Sequence, residues 1–325
     1  MAPVARNARA EAQALLADGY HARVLEPSPP ASTDPDWYAH DEAAVGADLD
    51  GRVVTPTTAG DVTWDELAQT DHGVATFARD RWLGHWRRLG RAPDELAEAR
   101  AELNRLAFYV MSPARRTATD KVGLRWTLGG FGTPFYGADV QLRLDGLDLV
   151  LQEGTAMRTA PLTTLAAAAD LAGVELDPGS KGHFDVPDMG DQHGALLVRT
   201  EHVAFLADWF GFATSVLEQL RLDARPEDDA GRVQLWPEHF NVAVELGSAD
   251  DGRRASYGAS PGDEAHPEPY LYVAPWGEPD RISPYWNDAA FGGASLAYAE
   301  LLAATDQRAA ALDFHRRGLE LLAAG

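Results

Sequence analysis

Apolar and polar residues alternate strictly from His239 to Leu246, within the segment QLWPEHFNVAVELG. Successive side chains of a β-strand point to opposite faces, so this period of two predicts a strand with one core face. The predicted core face carries Phe240, Val242, Val244 and Leu246. The opposite face carries His239, Asn241, Ala243 and Glu245. It therefore presents an imidazole, a carboxamide and a carboxylate, either as a solvated strand face or as one side of a site.

The same period of two returns in residues 140–151, VQLRLDGLDLVL, around a central Asp-Gly pair. Alternating leucines on both sides of such a pair are typical of a β-hairpin with a two-residue turn. That turn would pair Leu144 with Leu147 and place all six apolar side chains on one face. It would also place Arg143 opposite Asp148.

Acids and a histidine gather between two predicted strands. Residues 248–269 lack periodicity and are predicted to form a long loop, after which Tyr270 to Ala274 resumes a strand. Its second part, Gly262–Pro269, contains Asp263, Glu264, His266 and Glu268. These side chains suit a general acid/base pair or a divalent cation. In a chain this acidic, the alternative is a solvated loop.

Helical spacing dominates other parts of the chain. The first 112 residues contain several apolar repeats of three and four, and Glu201–Leu220 carries a broad apolar stripe. Further helices are predicted over Pro161–Val174, Ala294–Ala304 and Gln307–Ala324.

Together these patterns predict an α+β fold, with antiparallel sheet flanked by helices and a mostly helical N-terminal region. We predict that residues 1–112 form that helical region, packed on an α+β domain of residues 113–325. Strands followed by helices occur twice, in 122–220 and 233–323. A duplication is therefore a hypothesis, although the residues show no repeat that would establish it.

Composition narrows the function classes. The 325 residues include no cysteine, which excludes disulfides and thiolate chemistry and fits a reducing compartment. With 28 basic and 50 acidic residues, the net charge of −22 disfavours nucleic acid and anionic membranes as partners. No apolar run has the length of a membrane span or of a secretory signal, so we expect a cytoplasmic protein. The sequence identifies no cofactor, metal or oligomeric state.

The candidate site lies in residues 234–276, where aromatic residues flank the predicted strands. We expect a small-molecule cleft with the polar strand face on one side and Gly262–Pro269 at its rim. The candidate catalytic residues are His239, Glu245 and His266. The candidate ligand-binding residues are Asn241, Asp263, Glu264, Glu268, Trp236, Tyr272 and Trp276. Further along, residues 285–288 could line a pocket.

Two function classes stay open. The first is an enzyme, a hydrolase or lyase that uses these histidines and carboxylates in acid/base or metal-binding roles. The second is a non-catalytic protein that binds a small molecule or a protein partner. A bound metal, or both histidines in one concavity, would favour the enzyme.

Four segments carry a family resemblance: LRWTLGGFGTPFYGADVQLRL, ADWFGFATSVLEQLR, QLWPEHFNVAVELG and ASYGASPGDEAHPEPYLYVAPW. They resemble an uncharacterised, mainly actinobacterial family catalogued only as a domain of unknown function. The resemblance covers most of residues 120–323 and is most specific in WPEHF and HPEPYLY. It implies no activity, cofactor or catalytic residue.

Overall fold

The fold is described from a computed structural model of the chain. It describes residues 52–54, 61–63, 88–127, 129–134, 136, 140–153, 156–179, 186–277 and 283–324. The helices are α1 (Leu96–Leu106), α2 (Ser112–Thr119), α3 (Leu165–Ala172), α4 (Thr200–Asp223), α5 (Tyr298–Ala303) and α6 (Gln307–Ala324). A buried π-helical segment, Ala107–Met111, joins α1 to α2.

Strands make up the rest of the regular structure. They are β1 (Arg52–Val54), β2 (Asp61–Thr63), β3 (Arg125–Thr127), β4 (Gly130–Gly132), β5 (Val140–Asp145), β6 (Asp148–Glu153), β7 (Ala156–Pro161), β8 (Gln234–Trp236), β9 (Asn241–Leu246), β10 (Ala255–Ser260), β11 (Tyr270–Pro275) and β12 (Ala294–Ala297). All described strand pairs are antiparallel. The predicted α+β class is therefore confirmed.

Two five-stranded sheets dominate the architecture. The first sheet runs β3-β4-β5-β6-β7 and the second β8-β9-β10-β11-β12, so each is a meander of consecutive strands. Leu124 and Leu235 exchange two backbone hydrogen bonds of 2.7 and 2.8 Å, which places the beginnings of the two sheets side by side. The two halves thus share a topology, while their origin by duplication stays a prediction.

Helix α4 lies at the centre of the core. Its predicted apolar stripe is confirmed, because Trp209, Phe210 and Phe212 are fully buried. The helix packs on β3 and β4 of the first sheet and on β9 and β10 of the second. Helix α6 packs on α4 and β11. One face of the second sheet is thereby buried against helices, and the opposite face, called the outer face below, is turned away from α4.

The predicted hairpin of residues 140–151 exists, but its predicted pairing is wrong. Leu144 lies opposite Leu149 instead of Leu147, and Arg143 lies opposite Val150. The partner moves by two positions, which keeps the buried leucines on one face because the side-chain period is two. The turn is formed by residues 146 and 147, with φ of 59° at Gly146. A positive φ at the first turn position alone is typical of a type II′ turn.

The prediction of one long loop over 248–269 is also wrong, since Ala255–Ser260 forms the central strand of the second sheet. The outward side chains of this strand are Ser256, Gly258 and Ser260, which lack a bulky periodic pattern. A Cβ atom at Gly258 would lie 2.3 Å from Cζ of Tyr272. The small residues of β10 therefore leave room for a tyrosine ring that crosses it.

Two strand boundaries differ from the sequence prediction. Strand β9 begins at Asn241, because Phe240 adopts a φ of 51° and places its ring 5.3 Å from that of Phe210 on α4. His239 thus lies in the preceding turn, outside the pleated face on which it was predicted. Residues 294–297 form β12, and the predicted helix begins only at Tyr298.

The N-terminal region is described in part. Helix α1 confirms one predicted helix, and its Leu103 and Leu106 belong to the main core. Strands β1 and β2 pair as a short ladder in the region predicted to be mostly helical. Other parts of the predicted helical region, including residues 1–25 and 64–87, lie outside the described residues.

Candidate functional site

The outer face of the second sheet carries a separate aromatic cluster. Ala243 of β9 with Tyr270 and Tyr272 of β11 form its buried part. Trp236 and Phe291, both half-buried, pack against them. The sheet register aligns Tyr272, Gly258 and Ala243 in one row across three strands. This cluster contains two of the predicted site residues, Trp236 and Tyr272.

Asn241 and Tyr272 form the central polar pair of this face. The Nδ2 group of Asn241 donates a hydrogen bond of 2.6 Å to the hydroxyl of Tyr272, across Gly258. Burial, with a smaller contribution from the charge of Glu245, raises the pKa of Tyr272, so its hydroxyl stays protonated. The Oδ1 atom of Asn241 is buried and has no hydrogen-bond partner in the described part of the chain.

An unpartnered amide oxygen is costly. A buried acceptor that has lost water and gained no partner costs about 1–3 kcal/mol. If the amide were turned over, the Tyr272 hydroxyl could donate to Oδ1, and Nδ2 would then lack an acceptor. One end of the Asn241 carboxamide therefore lacks a hydrogen-bond partner in either orientation.

The Gly262–Pro269 loop is tied to the sheet through Asp263. The hydroxyl of Tyr270 donates to Oδ2 of Asp263 at 2.5 Å, and the backbone N–H of His266 donates to Oδ1 at 2.8 Å. Burial alone would raise the pKa of Asp263, but these hydrogen bonds outweigh it and hold the pKa below its usual range. Burial, followed by the bond to Asp263, raises the pKa of Tyr270. The pair is a neutral phenol that donates to a carboxylate.

His266 joins this loop to the segment before β12. Its Nε2 lies 2.8 Å from Oδ2 of Asp288, a side chain that is only 5% exposed. Its Nδ1 lies 3.5 Å from Oδ1 of Asp263, and its ring lies 4.4 Å from that of Tyr270. Nε2 is thus held by Asp288, while the buried Nδ1 makes no hydrogen bond within the described part of the chain. A general base needs one nitrogen directed at the substrate, and Nδ1 instead lies beside Asp263 of the same loop, so this arrangement positions the loop better than it serves catalysis.

Helix α1 holds the same loop from the other side. Nη1 of Arg100 donates to the carbonyl oxygens of Pro261 and Pro267, at 3.2 and 3.4 Å. Gly262 between them has a φ of 110°, and a Cβ atom there would lie 2.2 Å from Nη1 of Arg100. Burial lowers the pKa of Arg100, and the charge of Asp263 partly offsets that effect. The loop is therefore anchored in an ordered position.

Glu245 and Trp276 lie together at another part of the outer face. Nη2 of Arg254 lies 3.3 Å from Oε2 of Glu245, and the guanidinium lies 5.2 Å from the centroid of the Trp276 ring. Nη1 of Arg254 also contacts Oδ2 of Asp229 at 3.1 Å. Trp276 is 61% exposed. Glu245 therefore has an ion-pair partner, which suits a binding role better than a proton-transfer role.

The structure brings together part of the predicted set. Asn241, Tyr272 and Trp236 meet around Ala243, and Asp263 and His266 meet beside Tyr270. Three predicted residues are exposed elsewhere: His239 in the turn before β9, and Glu264 and Glu268 on the loop. The Tyr285 hydroxyl bonds to the carbonyl of Phe314 on α6, away from the outer face.

Sequence reasoning missed Phe291 and Arg100. Phe291 follows a run without periodicity, and Arg100 belongs to a helix that is distant in sequence, so neither gave a local signal. Tyr270 could have been included, since it lies two residues from Tyr272 on a predicted strand. Asp288 was expected in a pocket lining, but its contact with His266 depends on the folding of two loops.

Two further features, a metal-binding group and a membrane-spanning helix, are absent from the described residues. No group of three or more His, Cys, Asp or Glu side chains among them could hold a metal ion. No helix among them is long and apolar enough to cross a membrane. In comparisons with known proteins, the chain matches no family model, no curated protein and no solved structure. The function must therefore be inferred from the site itself.

Proposed function

We propose that this chain is a small-molecule-binding protein whose site is the outer face of the second sheet, beside Trp236, Asn241, Tyr272 and Phe291. The observation that carries the proposal is the Asn241 carboxamide, with one end bound to Tyr272 and the other buried without a partner among the described residues. Aromatic side chains surround it. A few polar groups among apolar and aromatic side chains are the usual composition of a small-molecule site.

The surroundings of His266 favour binding over catalysis. Asp288 holds Nε2 of its ring, and Arg100 anchors the loop that carries it. A pre-ordered loop lowers the entropy that a ligand must overcome on binding.

A hydrolase or lyase is the second candidate. The 2.8 Å contact between His266 and Asp288 is the observation that supports it, because a buried carboxylate commonly orients a catalytic imidazole. In that case Nδ1 of His266 would have to turn from Asp263 toward the substrate. His266→Gln would then abolish turnover but keep binding, whereas a binding protein would show no turnover in either form.

A thermal-shift screen of a small-molecule library tests the binding proposal, with three forms of the protein compared. A ligand at 100 times its Kd stabilises the folded state by about 2.7 kcal/mol, which is measurable. We expect hits that stabilise the wild type and Gln219→Ala, which removes an amide from α4, but fail to stabilise Asn241→Ala. Hits that stabilise Asn241→Ala equally, or a library without hits, would contradict the proposal.

The same proposal includes a cytoplasmic location and membership of the uncharacterised actinobacterial family that the sequence resembles. The cysteine-free, acidic composition supports the location. Recovery of the native protein from a membrane or secreted fraction would contradict it.

A further inference from the structure

We infer that the ligand of this face is a small organic cation that carries an N–H donor, such as a primary ammonium on an aromatic or aliphatic body. The inference rests on the proposed function and adds the chemical class of the ligand. Three independent features support it: the charges around the face, the aromatic rings and the free carboxamide oxygen.

Carboxylates outnumber arginines around the outer face. Glu245, Asp263 and Asp288 contribute to it, while the arginines near these groups are Arg254, which contacts Glu245, and Arg100, which interacts with the charge of Asp263. Oε2 of Glu245 lies 3.3 Å from Arg254, and the Glu245 side chain is 33% exposed. Its charge reaches the Asn241–Tyr272 pair, since it helps to raise the pKa of Tyr272. The net charge of −22 adds an attraction for cations at longer range.

The aromatic rings add a surface that binds cations. The ring of Tyr272 lies 6.0 Å from that of Tyr270 and 6.0 Å from that of Phe291, and Trp236 packs against the same cluster. The faces of such rings carry negative electrostatic potential, and a cation within about 6 Å of a ring centroid is attracted to it. Neutral or anionic ligands gain nothing from this cation–π attraction.

The carboxamide selects for a donor. In the orientation that the structure shows, Nδ2 of Asn241 donates to Tyr272, so the unpaired atom is the carbonyl Oδ1, which can only accept. A cation without N–H groups would bind the rings but leave this oxygen unpaired. A ligand with an ammonium N–H can interact with the rings and also donate to this oxygen.

Four small aromatic probes separate these features by calorimetry: benzylammonium, benzyltrimethylammonium, benzyl alcohol and benzoate. We expect benzylammonium to bind at least tenfold more tightly than benzyl alcohol, and benzoate to bind most weakly. The affinity for benzylammonium should fall as the salt concentration is raised, because salt screens the attraction between charges that are partly exposed to solvent. Benzyltrimethylammonium should bind with an affinity between those of benzylammonium and benzyl alcohol.

Substitutions assign the effects to residues. Glu245→Gln should weaken benzylammonium several-fold and leave benzyl alcohol unchanged, whereas Glu175→Gln, an equal charge change at an exposed position in the first half, should alter neither. Asn241→Ala should abolish the preference for benzylammonium over benzyltrimethylammonium. Circular dichroism and the melting temperature report whether each variant is folded.

The outcomes are distinguishable from those of the binding proposal. If benzyl alcohol or benzoate binds as tightly as benzylammonium, and binding still depends on Asn241, the cation inference is wrong and the binding proposal stands. If none of the four binds while library hits of another class depend on Asn241, the cation inference is again overturned. Binding of benzylammonium that does not depend on Asn241 overturns both.

Discussion

Gly258→Ala is the substitution whose effect follows most directly from the structure. The added Cβ would lie 2.3 Å from Cζ and 2.4 Å from the hydroxyl oxygen of Tyr272. Both distances are below any real contact, so the ring must move away from β10. Its movement would break the 2.6 Å hydrogen bond with Asn241.

The expected loss of stability combines three terms. Overpacking at a buried position costs about 1–3 kcal/mol, and the lost hydrogen bond adds about 1 kcal/mol. Replacement of glycine by alanine restricts the unfolded chain, which returns about 0.4–1 kcal/mol. We therefore expect the free energy of unfolding to fall by about 1–3.6 kcal/mol.

Urea denaturation measures this change, with Gly90→Ala as the matched control. A Cβ at Gly90 meets no atom within 4 Å and its φ is ordinary, so that variant should differ from the wild type by less than about 0.5 kcal/mol. In a double-mutant cycle, Tyr272→Ala should remove most of the cost of Gly258→Ala, because it removes the clash. Equal stability of Gly258→Ala and Gly90→Ala would refute the placement of Tyr272 over β10.

Two further predictions concern the core and the loop. Burial lowers the pKa of His315, which is fully buried on α6, from 6.5 to about 3, so the unfolded chain binds a proton that the folded chain does not as pH falls below 6.5. The free energy of unfolding should therefore decrease as the pH falls. In urea titrations, His315→Leu should show a shallower decrease than the wild type, by up to about 1.4 kcal/mol per pH unit between pH ~4 and ~6. The same dependence on pH in both proteins would contradict this. Arg100→Ala should increase hydrogen exchange of the Gly262–Pro269 backbone at least several-fold while β9 and β10 stay protected, and unchanged exchange in the loop would show that Arg100 does not anchor it.

The sequence predicted the elements with strong periodicity. The apolar stripe of α4 and the alternation of β9 have bulky side chains on their buried faces, so their type could be inferred without tertiary information. The strand β10 could not be inferred in this way, because its outward residues are small and leave room for a ring from β11. A local pattern does not show which neighbour will occupy the space above a glycine.

The site shows the same limit. The alternation placed Asn241 and Glu245 on one face, and this agrees with the structure. It also placed His239 there, which is wrong because packing of Phe240 against Phe210 ends the strand one residue earlier. The contact between His266 and Asp288 and the support from Arg100 join segments far apart in sequence. Only the fold brings such groups together.

Selective ¹⁵N labelling of asparagine tests the central claim most directly, because the chain has only four asparagines, at positions 7, 104, 241 and 287. The side-chain amide signal of Asn241 can be assigned by its loss in Asn241→Ala. On addition of benzylammonium, or of any compound that stabilises the protein thermally, we expect this signal to shift in a saturable manner and by more than that of Asn104, whose Nδ2 donates to the carbonyl of Pro237 beside Trp236. A stabilising compound that leaves the Asn241 signal unchanged would show that the ligand binds elsewhere.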